Sequence, residues 1–171
     1  MLKGRPGVVQ GRSIHFAPEA AVTKIVQPLA APYQTADLVR RDCELKLNLE
    51  KIDLPDQSVD TFILSHVLEH VDDKAALGEL RRCLRVGGNA IIMVPVIEGW
   101  NSTYENSAVI TDRDRNLHFG QSDHVRFYGS DIRKRIRDAG FSLDEYVASA
   151  EDTVRYGLLR GEAVFIATRN G

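Results

Sequence analysis

The chain has few of the features that mark membrane, secreted or nucleic-acid-binding proteins. Among its 171 residues there is no apolar run of about 18 residues or more, so no transmembrane helix is expected. The segment from Met1 to Gly7 lacks the apolar core of a signal peptide, and only two cysteines occur, Cys43 and Cys83, without metal-type spacing. Its 22 basic and 24 acidic side chains leave no basic surplus. We therefore expect a soluble, cytoplasmic protein with free thiols that binds neither nucleic acid nor membranes.

The pattern of apolar residues indicates one α/β domain over residues 1–171. The hydrophobic content of 43% is enough for a single core. Predicted strands cover 13–17, 33–37, 43–49, 60–64 and 90–96, and predicted helices cover 19–29, the segment from Asp72 or Asp73 to Gly87, and 132–139. Two closing strands, 141–148 and 162–168, complete the chain. This order predicts a doubly wound, mostly parallel sheet with helices on both faces and an antiparallel C-terminal hairpin.

The segment from Glu98 to Gly120 is polar and shows no period. A long irregular stretch within a compact domain is usually a lid or a binding loop. We interpret residues 98–129 as a lid or acceptor-side insertion, with Trp100 and Tyr104 as candidate acceptor walls.

Several motifs occur in order along the chain. They are Leu54-Pro-Asp-Gln-Ser-Val-Asp60, Ser65-His-Val-Leu-Glu-His-Val71, Leu84-Arg-Val-Gly-Gly88 and a strand ending at Pro95. This series resembles the class I S-adenosylmethionine-dependent methyltransferases of the small-molecule, type 11-like group, over roughly residues 13–95. The segment 131–141 is similar to the late helix of the same fold. The resemblance implies a Rossmann-like methyltransferase fold, S-adenosylmethionine as the cofactor and S-adenosylhomocysteine as the product.

The resemblance also implies roles for residues that follow the predicted strands. Asp37 matches the acid that binds the ribose hydroxyls, since a carboxylate can accept hydrogen bonds from two neighbouring hydroxyls; a solvated, turn-capping Asp is the alternative. Asn48 and Leu49 match the segment beside the adenine. Ser65 and His66 match the residues that face the sulfonium and the methionine part of the cofactor.

The first motif departs from the family pattern. His15 stands where an acid is usual, and glycine-usual positions hold Ala17, Glu19 and Ala21. Glycine permits a positive φ and a close backbone approach, so an alanine at position 17 is tolerated if its φ is negative. Glu19 could bind the cofactor's ammonium group, and a degenerate loop that binds weakly is the alternative. The stretch resembles a His-x-Ala-Pro-Glu variant of bacterial methyltransferase-like proteins. By resemblance, the cofactor contacts in this loop are Phe16, Ala17, Pro18 and Glu19.

The spacing His66-x-x-Glu69-His70 also matches a zinc-peptidase pattern. The motif, however, begins at the end of a buried strand, and no third ligand can be placed from the sequence. We therefore predict no metal site and a structural role for His70.

Polar and apolar residues alternate from Asp123 to Gly129. The alternation points His124, Arg126 and Tyr128 in one direction. In the resembled fold this region borders the acceptor pocket, so the predicted catalytic residues are His124 as a general base and Arg126 as an anchor for an acceptor carboxylate or phosphate. An ordinary solvent-facing loop is the alternative.

Two functions of different classes agree with these observations. The first is methyl transfer to an O, N or C nucleophile of a small or medium-sized acceptor. Because the cofactor already activates the methyl group, a strong catalytic signature is not expected. The second is a non-catalytic methyltransferase-like binding or assembly protein. The sequence leaves the oligomeric state open, a homodimer included.

Overall fold

The computed structural model describes residues 7–156 and 161–171. Its strands are β1 (Ser13–Phe16), β2 (Tyr33–Asp37), β3 (Leu45–Lys46), β4 (Val59–Ser65), β5 (Leu84–Met93), β6 (Tyr104–Glu105), β7 (Arg126–Phe127), β8 (Phe141–Val147) and β9 (Ala163–Arg169). Its helices are α1 (Ala20–Val26), α2 (Asp73–Cys83), α3 (Asp112–Phe119), α4 (Ile132–Asp138) and α5 (Ala150–Tyr156), with 3₁₀ turns at Gln27–Leu29 and Leu68–His70.

Seven strands form one sheet in the order β3-β2-β1-β4-β5-β9-β8. The first five strands run parallel, and β9 is antiparallel to both β5 and β8. A separate two-stranded antiparallel sheet joins β6 to β7. The predicted mostly parallel sheet with an antiparallel C-terminal strand pair is confirmed.

The central strand β4 shows why its sequence is an unbroken apolar run. Phe62 and Leu64 belong to the larger core cluster, together with residues of α2 and α4. Ile63 points to the opposite face and packs in a second cluster with Val26 of α1. A strand covered on both faces has no solvent side, so the alternation of polar and apolar residues is lost.

The predicted stop of the second helix is wrong. The helix begins at its predicted cap, where Asp72 Oδ1 accepts hydrogen bonds from the backbone of Lys74 and Ala75, but it ends at Cys83, before Gly87 and Gly88. Leu84 already pairs with Val59, and the β4–β5 register then shifts before Thr61. Gly88 lies in this irregularity, where a Cβ atom would come 2.9 Å from the carbonyl oxygen of Asp60. Gly88 thus serves a close strand contact, Gly87 takes a positive φ of +79°, and neither glycine ends the helix.

The segment from Glu98 to Gly120 is more regular than predicted. It contains β6 and the two-turn helix α3, which begins where Thr111 Oγ1 accepts a hydrogen bond from the backbone of Asp114. Phe119 is the one buried residue of this helix. Because the helix has almost no apolar face, no period appears in its sequence. By contrast, the strand predicted over 43–49 is shorter than expected and covers only Leu45–Lys46.

His15 is a fully buried histidine in the middle of this fold. Its Nδ1 lies 2.8 Å from the hydroxyl of Tyr33, which lies 3.1 Å from Thr23 Oγ1, and its Nε2 has no partner among the described residues. Burial lowers the pKa of His15 to about 4, although the charge of Glu19 acts in the opposite direction. The folded protein therefore favours the neutral imidazole.

We expect the free energy of unfolding to fall as the pH drops from about 6.5 to about 4. In this window His15 binds a proton in the unfolded chain but not in the folded chain. The stability that the folded protein has above pH 6.5 is therefore lost on acidification. The difference in pKa corresponds to about 3 kcal/mol at most. Urea unfolding at pH 7 and pH 4.5 measures the loss. His15→Asn, which has no proton to take up, should lose less; an equal loss in both proteins would contradict the prediction.

Candidate active site

The carboxyl ends of β2, β1 and β4 meet at one edge of the sheet. These strands are neighbours and run in the same direction, with Phe16 paired to Ala36 on one side and to Leu64 on the other. The loops that follow them therefore emerge side by side, which is where open α/β sheets bind ligands. The structure brings together the predicted residues of three separate motifs: Phe16, Ala17, Pro18, Glu19, Asp37, Ser65 and His66.

Ala17 takes a left-handed backbone conformation, with a φ of +46°. The condition of a negative φ is therefore not met. Its amide donates a hydrogen bond to the carbonyl of Ala36 at 2.9 Å, so the chain stays tied to β2 while it turns from β1 towards α1. This tight turn is the reason for the positive φ, and a methyl side chain is small enough to tolerate it at a cost of roughly 1–2 kcal/mol. The loop thus keeps at Ala17 a conformation that glycine adopts without strain.

Two side chains join this loop to its neighbours. Ser65 at the end of β4 donates a hydrogen bond from its hydroxyl to Glu19 Oε1 at 2.8 Å. On the other side, Arg40 donates to the carbonyl of Pro18 at 2.9 Å and forms an ion pair with Asp42. Glu19 and Ser65 were predicted as separate cofactor contacts, and the structure pairs them. Arg40 was missed, because only tertiary contacts distinguish it from any exposed arginine after a strand.

The predicted adenosine residues also have roles within the protein. Asp37 Oδ1 accepts hydrogen bonds from the backbone of Val39 and Arg40, at 2.7 and 2.9 Å, so the turn-capping role considered from the sequence is present. Asn48 Oδ1 caps a similar turn by accepting from the amide of Glu50 at 2.9 Å. The side chain of Leu49 is buried in the main core, as is that of Phe16, so only their backbones can approach a ligand from this edge.

His66 leaves β4 with a left-handed backbone, φ +54°. Its half-exposed ring places Nδ1 3.3 Å from Oε1 of Glu69, a carboxylate that is only 2% exposed. The hydrogen bond to Glu69 raises the pKa of His66, against the effect of partial burial.

His124, Arg126 and Tyr128 do point in one direction, as the alternation predicts. That direction, however, is towards the 3₁₀ turn after β4. The backbone amide of Val125 donates a hydrogen bond to the carbonyl of Glu69 at 2.9 Å. This hydrogen bond holds the segment against the turn. Tyr128 donates its hydroxyl hydrogen to the carbonyl of Leu68 at 3.2 Å.

The contacts of Arg126 do not support the predicted anchoring of an acceptor. Its side chain is buried, and Nη1 donates to the carbonyls of Leu68 (3.0 Å) and Val71, while Nε donates to Glu105 Oε2 at 3.1 Å. The carboxylate of Asp73 lies 3.9 Å from Nη2. Arg126 thus ties the 3₁₀ turn to β6, because its segment packs directly on that turn.

One ring nitrogen of His124 can act as a base or bind a ligand. Its Nδ1 lies 3.2 Å from the carbonyl of Phe119, which can only accept, so Nδ1 carries the proton. This tautomer leaves a lone pair on Nε2. The ring also lies edge to face with that of His70, with centroids 4.6 Å apart.

The aromatic residues of the 98–129 segment form a small cluster. Trp100, which is 41% exposed, lies edge to face with Tyr104 and Phe127, at 6.4 Å between centroids in both cases. The hydroxyl of Tyr104 lies 2.6 Å from Nδ1 of His118. The two predicted acceptor walls are therefore in contact.

A cleft of about 440 Å³ lies elsewhere, between α2 and α4. Its lining shares no residue with the strand ends described above. We do not assign the cofactor to it, because the parallel strand ends offer the backbone turns and polar groups that such a ligand needs.

Comparison with known families gives a match within the first 92 residues of the chain. Residues 15–92 match the model described as a methyltransferase domain. The matched residues include β1, β2, β4 and the loops that meet at the site, so the resemblance inferred from the motifs is confirmed. Comparison with curated proteins gives no match.

Solved structures share the fold of the methyltransferase domain over nearly the whole chain. The Burkholderia thailandensis 1,6-didemethyltoxoflavin-N1-methyltransferase, with bound 1,6-didemethyltoxoflavin and S-adenosylhomocysteine, is 14% identical, with a TM-score of 0.63 over 98% of this chain and 78% of that one. An S-adenosylmethionine-dependent methyltransferase from Mesorhizobium loti is 13% identical, with a TM-score of 0.60 over 95% and 92%. A complex of the Haloferax volcanii Trm112 methyltransferase activator with a candidate methyltransferase is 14% identical, with a TM-score of 0.66 over 98% and 87%.

The domain match and the fold together support an S-adenosylmethionine-dependent methyltransferase. None of the described helices is both long and apolar enough to cross a membrane.

Replacing Ala17 with glycine should stabilise the methyltransferase domain. Ala17→Gly removes the strain of a left-handed alanine, and the gain in the free energy of unfolding should be about 1 kcal/mol after the entropy cost of a new glycine. Urea unfolding measures it. Ala21→Gly is the matched control, since Ala21 lies in α1 and glycine there should destabilise by about 0.5–1 kcal/mol. Destabilisation by both substitutions would show that Ala17 is not strained.

Proposed function

We propose that this protein transfers the methyl group of S-adenosylmethionine to an O, N or C nucleophile on a small or medium-sized acceptor. The observation that carries the proposal is the left-handed turn at Ala17, at the edge where β2, β1 and β4 end together. It provides, without a glycine, a tight turn through which the backbone can approach a ligand. The methyltransferase domain match over residues 15–92 includes this turn.

The cofactor's polar groups have complementary partners around this turn. Asp37 uses Oδ1 to cap its own turn, so we assign Oδ2 to the ribose hydroxyls. The side-chain amide of Asn48 donates to the adenine edge, because its oxygen is occupied by Glu50. Glu19 attracts the ammonium and sulfonium charges, and its bond to Ser65 holds its carboxylate at the end of β4.

The chemistry asked of the protein is mainly positioning. S-adenosylmethionine supplies an activated methyl group, and the protein has to align donor, methyl and nucleophile and exclude water. A base is needed only for a nucleophile that carries a proton. His124 is the candidate base, because the Phe119 carbonyl holds the tautomer with a lone pair on Nε2.

We assign the acceptor to the side of the site formed by residues 98–129. The aromatic contact between Trp100 and Tyr104 suits a planar or apolar acceptor, and the Burkholderia relative binds a small heterocycle. The two free cysteines, Cys43 and Cys83, suit the cytoplasmic location expected from the sequence. The oligomeric state is left open by this proposal.

A specific observation favours a second candidate, the non-catalytic binding or assembly protein. The Glu19–Ser65 and Arg40–Pro18 hydrogen bonds both cross the rim of the cofactor site. If they persist with ligand present, cofactor entry is blocked and the domain acts through its surface. One structural neighbour, the complex with Trm112, contains a protein partner.

Asp37→Asn should weaken binding of S-adenosylmethionine and S-adenosylhomocysteine about tenfold. The amide can still cap the turn through its oxygen, but the charge that strengthens the bonds to the ribose hydroxyls is gone. Isothermal titration calorimetry of the wild type and the variant measures both affinities. Asp53→Asn, at an exposed acid outside the site, is the control and should bind as the wild type does.

Two results would count against this assignment. Equal affinities for wild type and Asp37→Asn would remove Asp37 from the site. An absence of heat for the wild type at millimolar ligand would favour the non-catalytic candidate.

A further inference from the structure

Three side chains of types that can bind metal ions lie close together beside the end of β4. Glu69 and His70 lie in the 3₁₀ turn that follows the strand, and His124 reaches them from the segment before β7. One ligand atom from each of the three lies within 4.8 Å of those of the other two. Glu69 and His70 are neighbours in the sequence, from which no third ligand could be placed. The hydrogen bond from the amide of Val125 to the carbonyl of Glu69 brings His124 close to them.

Glu69 has a buried oxygen that no protein group satisfies. The side chain is 2% exposed, and Oε1 is held by His66 Nδ1 at 3.3 Å. Oε2 is buried and makes no hydrogen bond with any described residue. A buried carboxylate oxygen without a partner costs on the order of 1–3 kcal/mol or more, so this position favours a cation.

Both histidines have hydrogen-bond acceptors beside Nδ1. His70 Nδ1 lies 3.3 Å from the carbonyl oxygen and 3.3 Å from the carboxylate of Asp123, and His124 Nδ1 lies 3.2 Å from the carbonyl of Phe119. Because these partners accept hydrogen bonds, each Nδ1 carries the proton and each Nε2 has a lone pair. Metal-binding histidines almost always donate their second ring N–H to a carboxylate or a carbonyl in this way.

None of the hydrogen bonds among the described residues joins Glu69, His70 and His124 to one another. The carboxylate of Glu69 and the lone pairs of the two imidazoles are all hydrogen-bond acceptors, and one ligand atom of each side chain lies within 4.8 Å of the other two. A proton or a metal ion between them would stabilise this arrangement.

We propose that Glu69, His70 and His124 bind one transition-metal ion of the Zn²⁺ class. Two imidazoles and one carboxylate suit Zn²⁺, Co²⁺ or Fe²⁺, whereas Mg²⁺ and Ca²⁺ prefer oxygen ligands. Three protein ligands leave a coordination position for water or a ligand atom, as catalytic metal sites do. The His70 side chain is 24% exposed and that of Glu69 is 2% exposed, so solvent reaches the cluster from the side of His70.

The metal site does not depend on the proposed methyl transfer. Binding uses the Nε2 lone pair of His124, so a metal-loaded protein cannot use His124 as a general base. The two roles of His124 therefore exclude each other, and metal titration decides between them.

The test is titration of the whole chain after metal removal with a chelator. Calorimetry with Zn²⁺ should give one equivalent bound with an affinity of about micromolar or tighter. Co²⁺ should produce visible absorption bands with the same stoichiometry. His124→Ala should weaken Zn²⁺ binding by at least about 100-fold, and Asp123→Asn, which replaces the charged carboxylate beside His70 Nδ1, by about tenfold.

The matched control is His118→Ala. His118 is a histidine of the neighbouring helix α3 that contacts Tyr104 and lies outside the cluster, so Zn²⁺ should bind this variant as tightly as the wild type. Glu69→Gln, which keeps the size of the buried side chain, should also lose binding. Circular dichroism of the metal-free variants checks that each is folded.

The proposal is overturned if the wild type binds neither Zn²⁺ nor Co²⁺ saturably. It is also overturned if folded His124→Ala binds as tightly as the wild type, or if His118→Ala and His124→Ala lose affinity equally. Calorimetry with S-adenosylmethionine on the same metal-free protein keeps the two proposals separate, because cofactor binding can fail while the metal binds, and the reverse.

Discussion

The parallel pairing of β4 between β1 and β5 is the constraint on which the rest of the structure depends. Both faces of β4 are covered, by α2 and α4 on one side and by α1 on the other, so the strand has no freedom of register without exposing apolar side chains. Its carboxyl end is therefore placed with precision. The residues that follow, from Ser65 to His70, carry the contacts to the loop around Ala17 and Glu19, to the 98–129 segment and to the proposed metal.

A partly buried charge network holds the 98–129 segment to this strand end. Arg126 and Arg135 both contact Asp73 and Glu105, and Tyr128 shares Asp73 as well. Burial, together with the charge of Asp73, raises the pKa of Tyr128, so the hydroxyl stays protonated and donates its hydrogen. Buried ion pairs add little net stability, but removing one partner is costly, which favours one arrangement over others. The network therefore specifies how the segment docks, and with it the position of His124.

The proposed cofactor edge shows how a loop without the usual glycines keeps its shape. At Ala17 a methyl group is tolerated in a left-handed conformation because the amide is anchored on β2. At Glu19 a long acidic side chain finds a partner in Ser65, so its bulk lies along the rim instead of in a packed interior. The departures from the family pattern are thus compensated locally, by a backbone hydrogen bond in one case and a side-chain hydrogen bond in the other.

The sequence by itself determined the alternation of strands and helices, the start of α2 near Asp72 or Asp73 and the set of residues at the strand ends. These are local properties: apolar periodicity, capping side chains and strand-end polarity follow from a few neighbouring residues. The polar helix α3 and the role of Gly87-Gly88 could not be predicted from the sequence, because neither depends on a local apolar pattern. Only the tertiary structure decided that Arg126 is buried, that Glu19 pairs with Ser65 and that His124 joins Glu69 and His70. Each of these contacts joins residues far apart in the chain, and its existence depends on which surfaces the packed sheet brings together.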